Sequence, residues 1–190
     1  MPQTSISIVN VTSYAGAELA RLLCRHPAVQ LISVTGRSEV GKRLGDVFPY
    51  LSEIDLVIKA EPEEAPLIFS ALPHKASAEV VLPLVKKGIK VIDISADFRL
   101  KDTQEYQRWY DFVHPAPEVL DEAVYGLTEL NRPQVVSSRL VANPGCYPTG
   151  AILALAPAIK EGLIHHDIII DGKSGISGAG RTLSIGTHYS

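Results

Sequence analysis

One of the two cysteines, Cys146, lies in the segment NPGCYPTG, residues 143–150. Asn-Pro-Gly is typical of a turn and Pro148 suits the first turn of a helix, so Cys146 is predicted near a helix N-terminus. At that position the helix dipole and the unpaired N–H groups favour a thiolate, and they can also form an oxyanion hole. A small buried hydrophobic residue is the usual role of a lone cysteine, but the surrounding Asn-Pro-Gly favours a nucleophile here.

A second candidate site is the turn that follows the first predicted strand, in SISIVNVTSYAG. Where G-x-x-G-x-x-G spacing would be expected, the chain has Asn10, Ser13 and Gly16. Asn tolerates a positive φ and Ser permits close approach, so Ser13, Tyr14, Ala15 and Gly16 are predicted to hold a dinucleotide pyrophosphate at a helix N-terminus. An ordinary strand-to-helix turn is the alternative for this segment alone.

The end of the second predicted strand bears on the choice of cofactor. An NAD site usually carries an acidic residue there for the ribose hydroxyls, whereas this chain has TGRS. Arg37 and Ser38 are predicted to bind a 2′-phosphate, which favours NADP(H), although a solvated loop arginine is the commoner role. A thiolate at Cys146 beside a nicotinamide indicates one reaction class: an acyl group moves to sulfur, and the thioester accepts hydride to give an aldehyde.

An alternation of strand and helix patterns predicts the scaffold for these residues. Five segments read as strands: SISIVN, VQLISVTG, DLVIKA, PLIFSAL and IKVIDIS. AELARLLCRH and residues 75–87 have helical spacing, and the polar, aromatic residues 99–131 predict short helices and turns. This order predicts right-handed parallel crossovers, and hence an α/β protein with a Rossmann-like doubly wound parallel sheet.

The chain changes character after NPGC. Residues 147–160 are predicted to form a helix and HDIIIDG a strand. The next segment, GKSGISGAGR, is dense in glycine, which by itself indicates a flexible loop.

Composition restricts the class of partner. The 190 residues include 18 Lys+Arg against 21 Asp+Glu, with 46% hydrophobic residues. This balance argues against nucleic acid or an anionic membrane surface and favours a small molecule. The longest apolar stretch, residues 151–159, is too short to span a bilayer, and no signal-peptide pattern is present. We therefore expect a cytoplasmic protein with Cys24 and Cys146 as free thiols and without a metal site.

Six segments occur in the order typical of one enzyme family: SYAGAELARLL, ALPH, DISADFRL, YGLTELNR, NPGCYPTG and KSGISGAGR. On these segments the whole chain resembles the N-acetyl-γ-glutamyl-phosphate reductase family, NADPH-dependent enzymes of arginine biosynthesis. The resemblance implies an NADP-binding Rossmann-like domain, residues 1–146, and the start of a catalytic and dimerisation α/β domain, residues 147–190. It also implies a homodimer or homotetramer at full length.

The resemblance places Cys146 on the catalytic nucleophile. Its thiolate would displace inorganic phosphate from the acyl phosphate of N-acetylglutamyl phosphate, and NADPH would reduce the thioacyl enzyme to N-acetylglutamate 5-semialdehyde. Arg99, in SADFR, matches a phosphate-binding arginine, with a surface ion pair to Asp97 as the alternative.

Two further assignments rest on the resemblance. His74, in ALPH, is placed at the cofactor or phosphate site, and a hydrogen-bonded structural histidine is the alternative. Ser177 and Gly178, in SGISGAG, are placed where the backbone approaches the nicotinamide.

The chain departs from the family in two respects. Glycine usually occupies the positions of Asn10 and Ser13, which bears on cofactor affinity. The family also extends further and carries its general acid/base histidine in a later motif, so none of His165, His166 and His188 is assigned that role. We expect a front portion that is nearly inactive alone. Two alternatives stay open: a reductase of the longer N-acyl-aminoadipyl phosphate of lysine biosynthesis, and a non-catalytic NADP-binding module.

Overall fold

The computed structural model describes residues 2–165 and 167–181. Within that part of the chain there are seven strands: β1 (Thr4–Val9), β2 (Val29–Thr35), β3 (Ile58–Lys59), β4 (Leu67–Ser70), β5 (Lys90–Asp93), β6 (Val124–Tyr125) and β7 (Leu140–Ala142). They form one sheet in the order β3-β2-β1-β4-β5-β7-β6. Every pair of these strands is parallel. The predicted α/β Rossmann-like doubly wound sheet is thereby confirmed.

Helices lie in all the connections between consecutive strands except that from β3 to β4. The helices are α1 (Tyr14–Leu23), α2 (Leu44–Val47), α3 (Ser77–Lys86), α4 (Thr103–Tyr110), α5 (Pro117–Leu120), α6 (Thr128–Ser137) and α7 (Cys146–Lys160), with short 3-10 turns at Pro49–Leu51 and Ile176–Ala179. None of the helices in the described ranges combines the length and the hydropathy that crossing a membrane requires.

The core covers both faces of the sheet. Neighbouring residues of a strand point to opposite faces, and the neighbours Ile8 and Val9 of β1 belong to two different hydrophobic clusters. Ile8 packs with Val34 and Ile58 beneath α1, whereas Val9 packs with Ile68. The sheet is therefore buried on both faces, as parallel sheets usually are.

The sequence missed two strands that matter for the site. β7 has only three residues, Leu140–Ala142, all buried, and it pairs with β5. β6 lies beside it, within the segment for which only short helices and turns were predicted. Short runs such as these differ little from loops in sequence, and only their burial in the sheet makes them strands.

The strand predicted in HDIIIDG is wrong. Residues 167–172 have no regular secondary structure, and Ile169 is 95% exposed. A strand needs a neighbour to accept and donate its backbone hydrogen bonds, and no described strand lies beside this segment. His166 of the predicted strand falls outside the described residues. The boundary proposed between 146 and 147 falls inside α7 and stays a prediction.

Candidate active site

A cleft with a volume of about 1170 Å³ lies at the carboxyl ends of the central strands. This edge is where open parallel sheets bind ligands. The loops after β1, β2, β4, β5 and β7 contribute to its walls, together with residues 177–181. Nine of the residues predicted for the site line it: Ser13, Tyr14, Ala15, Arg37, Ser38, Arg99, Cys146, Ser177 and Gly178.

The turn between β1 and α1 depends on Asn10. Its φ is 64°, the left-handed region that favours glycine and that Asn tolerates. The side-chain Nδ2 donates to Ala71 O at 2.8 Å, and the backbone N donates to Thr35 Oγ1 at 3.2 Å. Asn10 thus adopts the backbone conformation of a glycine while tying the turn to the ends of β4 and β2.

Ser13 and Gly16 shape the first turn of α1. Ser13 Oγ accepts a hydrogen bond from Gly16 N at 2.9 Å and so caps the helix. A Cβ on Gly16 would lie 2.3 Å from Asn10 O, so only glycine allows the helix to approach β1 this closely. Gly16 is buried behind the cleft, whereas Tyr14 and Ala15 line it. First-turn N–H groups at these two residues suit a pyrophosphate, so the turn fits a dinucleotide.

The wall after β2 contains an acidic residue that the sequence reasoning missed. Glu39, next to Arg37 and Ser38, lines the cleft with a φ of 68°. Lys42 pairs with its carboxylate at 2.5 Å, and this hydrogen bond lowers the pKa of Glu39. In the sequence, only its position directly after TGRS could have indicated that Glu39 belongs to the site.

Cys146 is the first residue of α7, as predicted from its turn, and it is exposed. Gly145 is the N-cap and supplies no side-chain hydrogen bond. Thr149 N and Oγ1 both donate to Gly145 O, at 3.0 and 2.8 Å, which fixes the turn that presents the thiol.

Arg99 is held beside this turn by backbone carbonyls. Its Nε donates to Asn143 O at 2.8 Å and its Nη2 to Ile94 O at 2.7 Å. Nη1 is 3.1 Å from the position that a Cβ on Gly145 would take. The guanidinium therefore bridges the loops after β5 and β7 and turns its remaining nitrogen toward the Cys146 turn.

Asp97, considered as a partner of Arg99, is engaged elsewhere. Its carboxylate oxygens accept from Lys75 N at 2.7 Å and from Ala78 N at 2.9 Å, at the start of α3. In the described structure Arg99 makes no ion pair with Asp97.

A buried carboxyl supports the same loops from beneath. Asp93, at the end of β5, accepts from Ser77 Oγ and from Ser95 Oγ, both at 2.5 Å. Burial raises the pKa of Asp93, and the two serine hydrogen bonds oppose this rise. Asn143 N donates to Asp93 O at 2.7 Å, which links this network to the turn of Cys146. Sequence reasoning did not single out Asp93.

His74 is not brought to the cleft lining. It is exposed, and its ring centroid lies 6.1 Å from that of Tyr110. His165 is exposed beyond α7, while His166 and His188 lie outside the described residues. Across residues 2–165 and 167–181, no group of three His, Cys, Asp or Glu side chains is placed to hold a metal ion.

The glycine-rich segment returns to the first turn through Arg181. Its Nη1 donates to Thr12 O at 3.2 Å, and the guanidinium carbon lies 4.9 Å from the centroid of the Phe48 ring. Arg181 lines the cleft, although sequence reasoning gave it no role. In the sequence, only its position at the end of KSGISGAGR could have indicated a role for Arg181.

Family models match nearly the whole chain. A model described as "Semialdehyde dehydrogenase, NAD binding domain" matches residues 5–138. A second, "Semialdehyde dehydrogenase, dimerisation domain", matches residues 146–190.

Several curated relatives share the name N-acetyl-gamma-glutamyl-phosphate reductase. A protein of Dehalococcoides mccartyi is 60% identical over 96% of this chain and 54% of its own length. A protein from another strain of that species is 58% identical over 100% of this chain and 56% of its length. One from Pelotomaculum thermopropionicum is 47% identical over 97% and 55%. The chain thus spans about half the length of the curated relatives that it matches.

Solved structures share the fold. Aspartate semialdehyde dehydrogenase II of Vibrio cholerae, complexed with ASA, superposes with a TM-score of 0.61 at 17% identity, covering 83% of this chain and 47% of its own. Aspartate semialdehyde dehydrogenase of Candida albicans, solved with NADP, gives a TM-score of 0.55 at 15% identity, covering 85% and 48%.

Proposed function

This chain belongs to the semialdehyde dehydrogenase family, and we propose that the intact protein reduces N-acetyl-γ-glutamyl phosphate with NADPH. The products would be N-acetylglutamate 5-semialdehyde and phosphate, in arginine biosynthesis. The observation that carries the proposal is that Cys146 and the β1–α1 turn line one cleft, so a thiol and a dinucleotide site share it. The names of relatives at 58–60% identity support the substrate.

In this proposal Cys146 provides the nucleophile. Its thiolate adds to the acyl carbon of the substrate, the C–S bond forms, and the C–O bond to phosphate breaks so that phosphate leaves with the electron pair. The oxyanion that develops lies at the N-terminus of α7, where backbone N–H groups and the helix dipole stabilise negative charge.

Arg99 is proposed to bind the phosphate of the substrate. Two of its nitrogens already donate to the carbonyls of Asn143 and Ile94, so the side chain loses little further freedom when a ligand binds. Nη1 remains on the Cys146 side and offers a cation to the phosphate that departs. We propose no contact between His74 and the substrate or cofactor, because His74 does not line the cleft.

The cofactor site is proposed from the rest of the cleft. When bound, NADPH supplies the hydride that converts the thioester to the aldehyde. Tyr14 and Ala15 would hold the pyrophosphate with first-turn N–H groups, and Arg37 with Ser38 would hold the 2′-phosphate. Ser177 and Gly178, on the glycine-rich segment, would face the nicotinamide half and limit access of water.

The test substitutes, in the intact protein, each of the two cysteines of this sequence. The reverse reaction is followed as NADP reduction that depends on N-acetylglutamate semialdehyde and on phosphate. Cys146→Ser is expected to lower kcat by at least about a thousandfold, because a hydroxyl is a much weaker nucleophile than a thiolate. Cys24→Ser is the control, since Cys24 is half-buried in the α1 region and its Sγ donates to Arg21 O. Equal activity in the two variants would contradict the proposal.

The intact protein also serves to test the two alternative functions, reduction of N-acyl-aminoadipyl phosphate and non-catalytic NADP binding. Competition between N-acetylglutamyl and N-acylaminoadipyl substrates measures the preference for chain length, and the relatives' name supports the shorter one. A non-catalytic module would show no turnover with either substrate. We further propose a cytoplasmic homodimer or homotetramer, which the match to a dimerisation domain supports and light scattering would test.

A further inference from the structure

Arg181 lies where two walls of the cleft meet. It donates to Thr12 O in the β1–α1 turn, and its guanidinium stacks on Phe48, which follows α2. Arg37, Ser38 and Glu39, from the loop after β2, line the same cleft. The β1–α1 turn and the end of β2 are the parts of a doubly wound sheet that surround the adenosine ribose of a dinucleotide.

The charges at this end of the cleft favour an anion. Among the described residues that line the cleft, Glu39 is the one that is acidic, and Lys42 pairs with it. Arg37 and Arg181 make no ion pair with any described residue. Arg37 and Arg181 thus face one cleft without an ion-pair partner among the described residues. The Glu39 carboxylate in this cleft is paired with Lys42, whose hydrogen bond lowers the pKa of Glu39 most, and the charge of Arg181 lowers it further.

Arg181 retains donors for a ligand. A guanidinium carries five N–H donors, and only Nη1 is engaged with a described residue, at Thr12 O. The contact of the guanidinium with the Phe48 ring, together with the hydrogen bond to Thr12 O, holds the group at the cleft before an anion binds.

Resting on the proposed function, we propose that Arg181 binds the 2′-phosphate of NADP(H) together with Arg37. The site would then draw one cation from the loop after β2 and one from the glycine-rich segment. Binding of the 2′-phosphate would hold that segment across the cleft, so cofactor selection and closure of the nicotinamide end would depend on the same arginine.

Adenosine 2′,5′-bisphosphate and 5′-AMP differ only in the 2′-phosphate, so the comparison of their affinities measures the contribution of that group. Isothermal titration calorimetry of the intact protein gives the Kd of each, without turnover. Arg181→Gln is expected to weaken bisphosphate binding about tenfold or more, the effect of losing a charge-assisted hydrogen bond, and to change the Kd of 5′-AMP less than about twofold. Arg37→Gln should act in the same direction, and Arg181→Lys should lose less than Arg181→Gln.

Arg108→Gln is the matched control, because Arg108 is an exposed arginine that stacks on Trp109, outside the cleft lining. The thermal midpoint of each variant shows that it is folded. A purely structural Arg181 would weaken both ligands equally and overturn the inference. Retained bisphosphate binding in Arg181→Gln, with loss in Arg37→Gln, would also overturn it while leaving the proposed function intact. Wild-type protein that binds neither ligand would overturn the cofactor site itself.

Discussion

At the scale of single residues, His114 is a titratable group held in an apolar site. It is 4% exposed, and its ring lies 5.5 Å from Phe98, 5.2 Å from Tyr106 and 5.8 Å from Phe112, measured between centroids. Burial lowers the pKa of His114, and a hydrogen bond to the Asp97 backbone and the charge of the Asp97 carboxylate are the main effects that oppose the shift. The fold therefore favours the neutral imidazole.

The free energy of unfolding should fall as the pH is lowered from 7 to 5, because His114 resists protonation in the folded state. Below about pH 6.5 the unfolded chain takes up a proton that the folded chain resists, so acid favours the unfolded state. The free energy of unfolding, measured by urea titration between pH 7 and 5, should fall less steeply in His114→Asn than in wild type. His26→Asn, at an exposed histidine, should keep the wild-type slope. Identical slopes in all three proteins would show that His114 titrates normally.

Asn10 shows how a residue can replace a glycine without changing the turn. Glycine at this position would give a positive φ without strain, and Asn10 reaches 64° with a side chain that donates a hydrogen bond to Ala71 O. The departure from the glycine fingerprint is therefore compensated by hydrogen bonds across the sheet. Ser13 similarly contributes a helix cap where glycine would contribute none.

At the scale of elements, α1 is positioned by the absence of one side chain. A Cβ on Gly16 would meet Asn10 O at 2.3 Å and Val11 Cα at 2.7 Å, both backbone atoms that cannot rotate away. Gly16→Ala must therefore move α1 off β1 and displace the turn that lines the cleft.

The expected cost of Gly16→Ala is about 1–3 kcal/mol of unfolding free energy, the usual range for overpacking. Gly150→Ala is the control, because Gly150 lies in α7 and a Cβ added there would have open space, with no neighbouring atom within 4 Å. There alanine should stabilise the helix by about 0.5–1 kcal/mol. Urea unfolding of both variants gives the two values. If Gly16→Ala were as stable as wild type, the close approach of α1 to the backbone of Asn10 and Val11 would not be the constraint described.

α7 combines two roles. Its first residue is the candidate nucleophile, and the helix is apolar along its length, yet none of its fifteen residues is buried against the described chain. The apolar composition that predicted the helix therefore also leaves an apolar surface beside the cleft.

At the scale of the whole molecule, large apolar side chains are also exposed in the segment that follows α7. Leu163 is 75% exposed, Ile169 95% and Ile170 60%. Several exposed apolar side chains in one part of a chain are typical of an interface, and the dimerisation model matches the same part, residues 146–190.

The 190-residue chain, prepared alone, should consequently bind a hydrophobic dye and self-associate as its concentration rises. Dye fluorescence and light scattering measure the two effects. Replacing Ile169 and Ile170 together by Ser should reduce both, whereas replacing the exposed Val40 and Val57, which lie on the nucleotide half, should leave them unchanged. A monomer that binds no dye would show that this apolar surface does not associate.

Local patterns in the sequence determined the strands β1, β2, β4 and β5, the helices α1 and α7, and the place of Cys146 at a helix start. Periodicity, caps and turn residues act within a few positions, so they can be read from neighbours. The order of these elements also determined the doubly wound sheet, because parallel crossovers have one preferred hand.

Only the tertiary structure decided what depends on distant residues. HDIIIDG has the composition of a strand, but its described residues have no neighbouring strand in the described ranges. The three residues of β7 become a strand because β5 lies beside them. Three contacts of the site also depend on the folded chain. Arg99 meets the turn before Cys146, Glu39 pairs with Lys42, and Arg181 contacts Thr12, which is 169 residues away. Each needs the completed sheet to bring its loops to one edge, and no spacing along the chain encodes that approach.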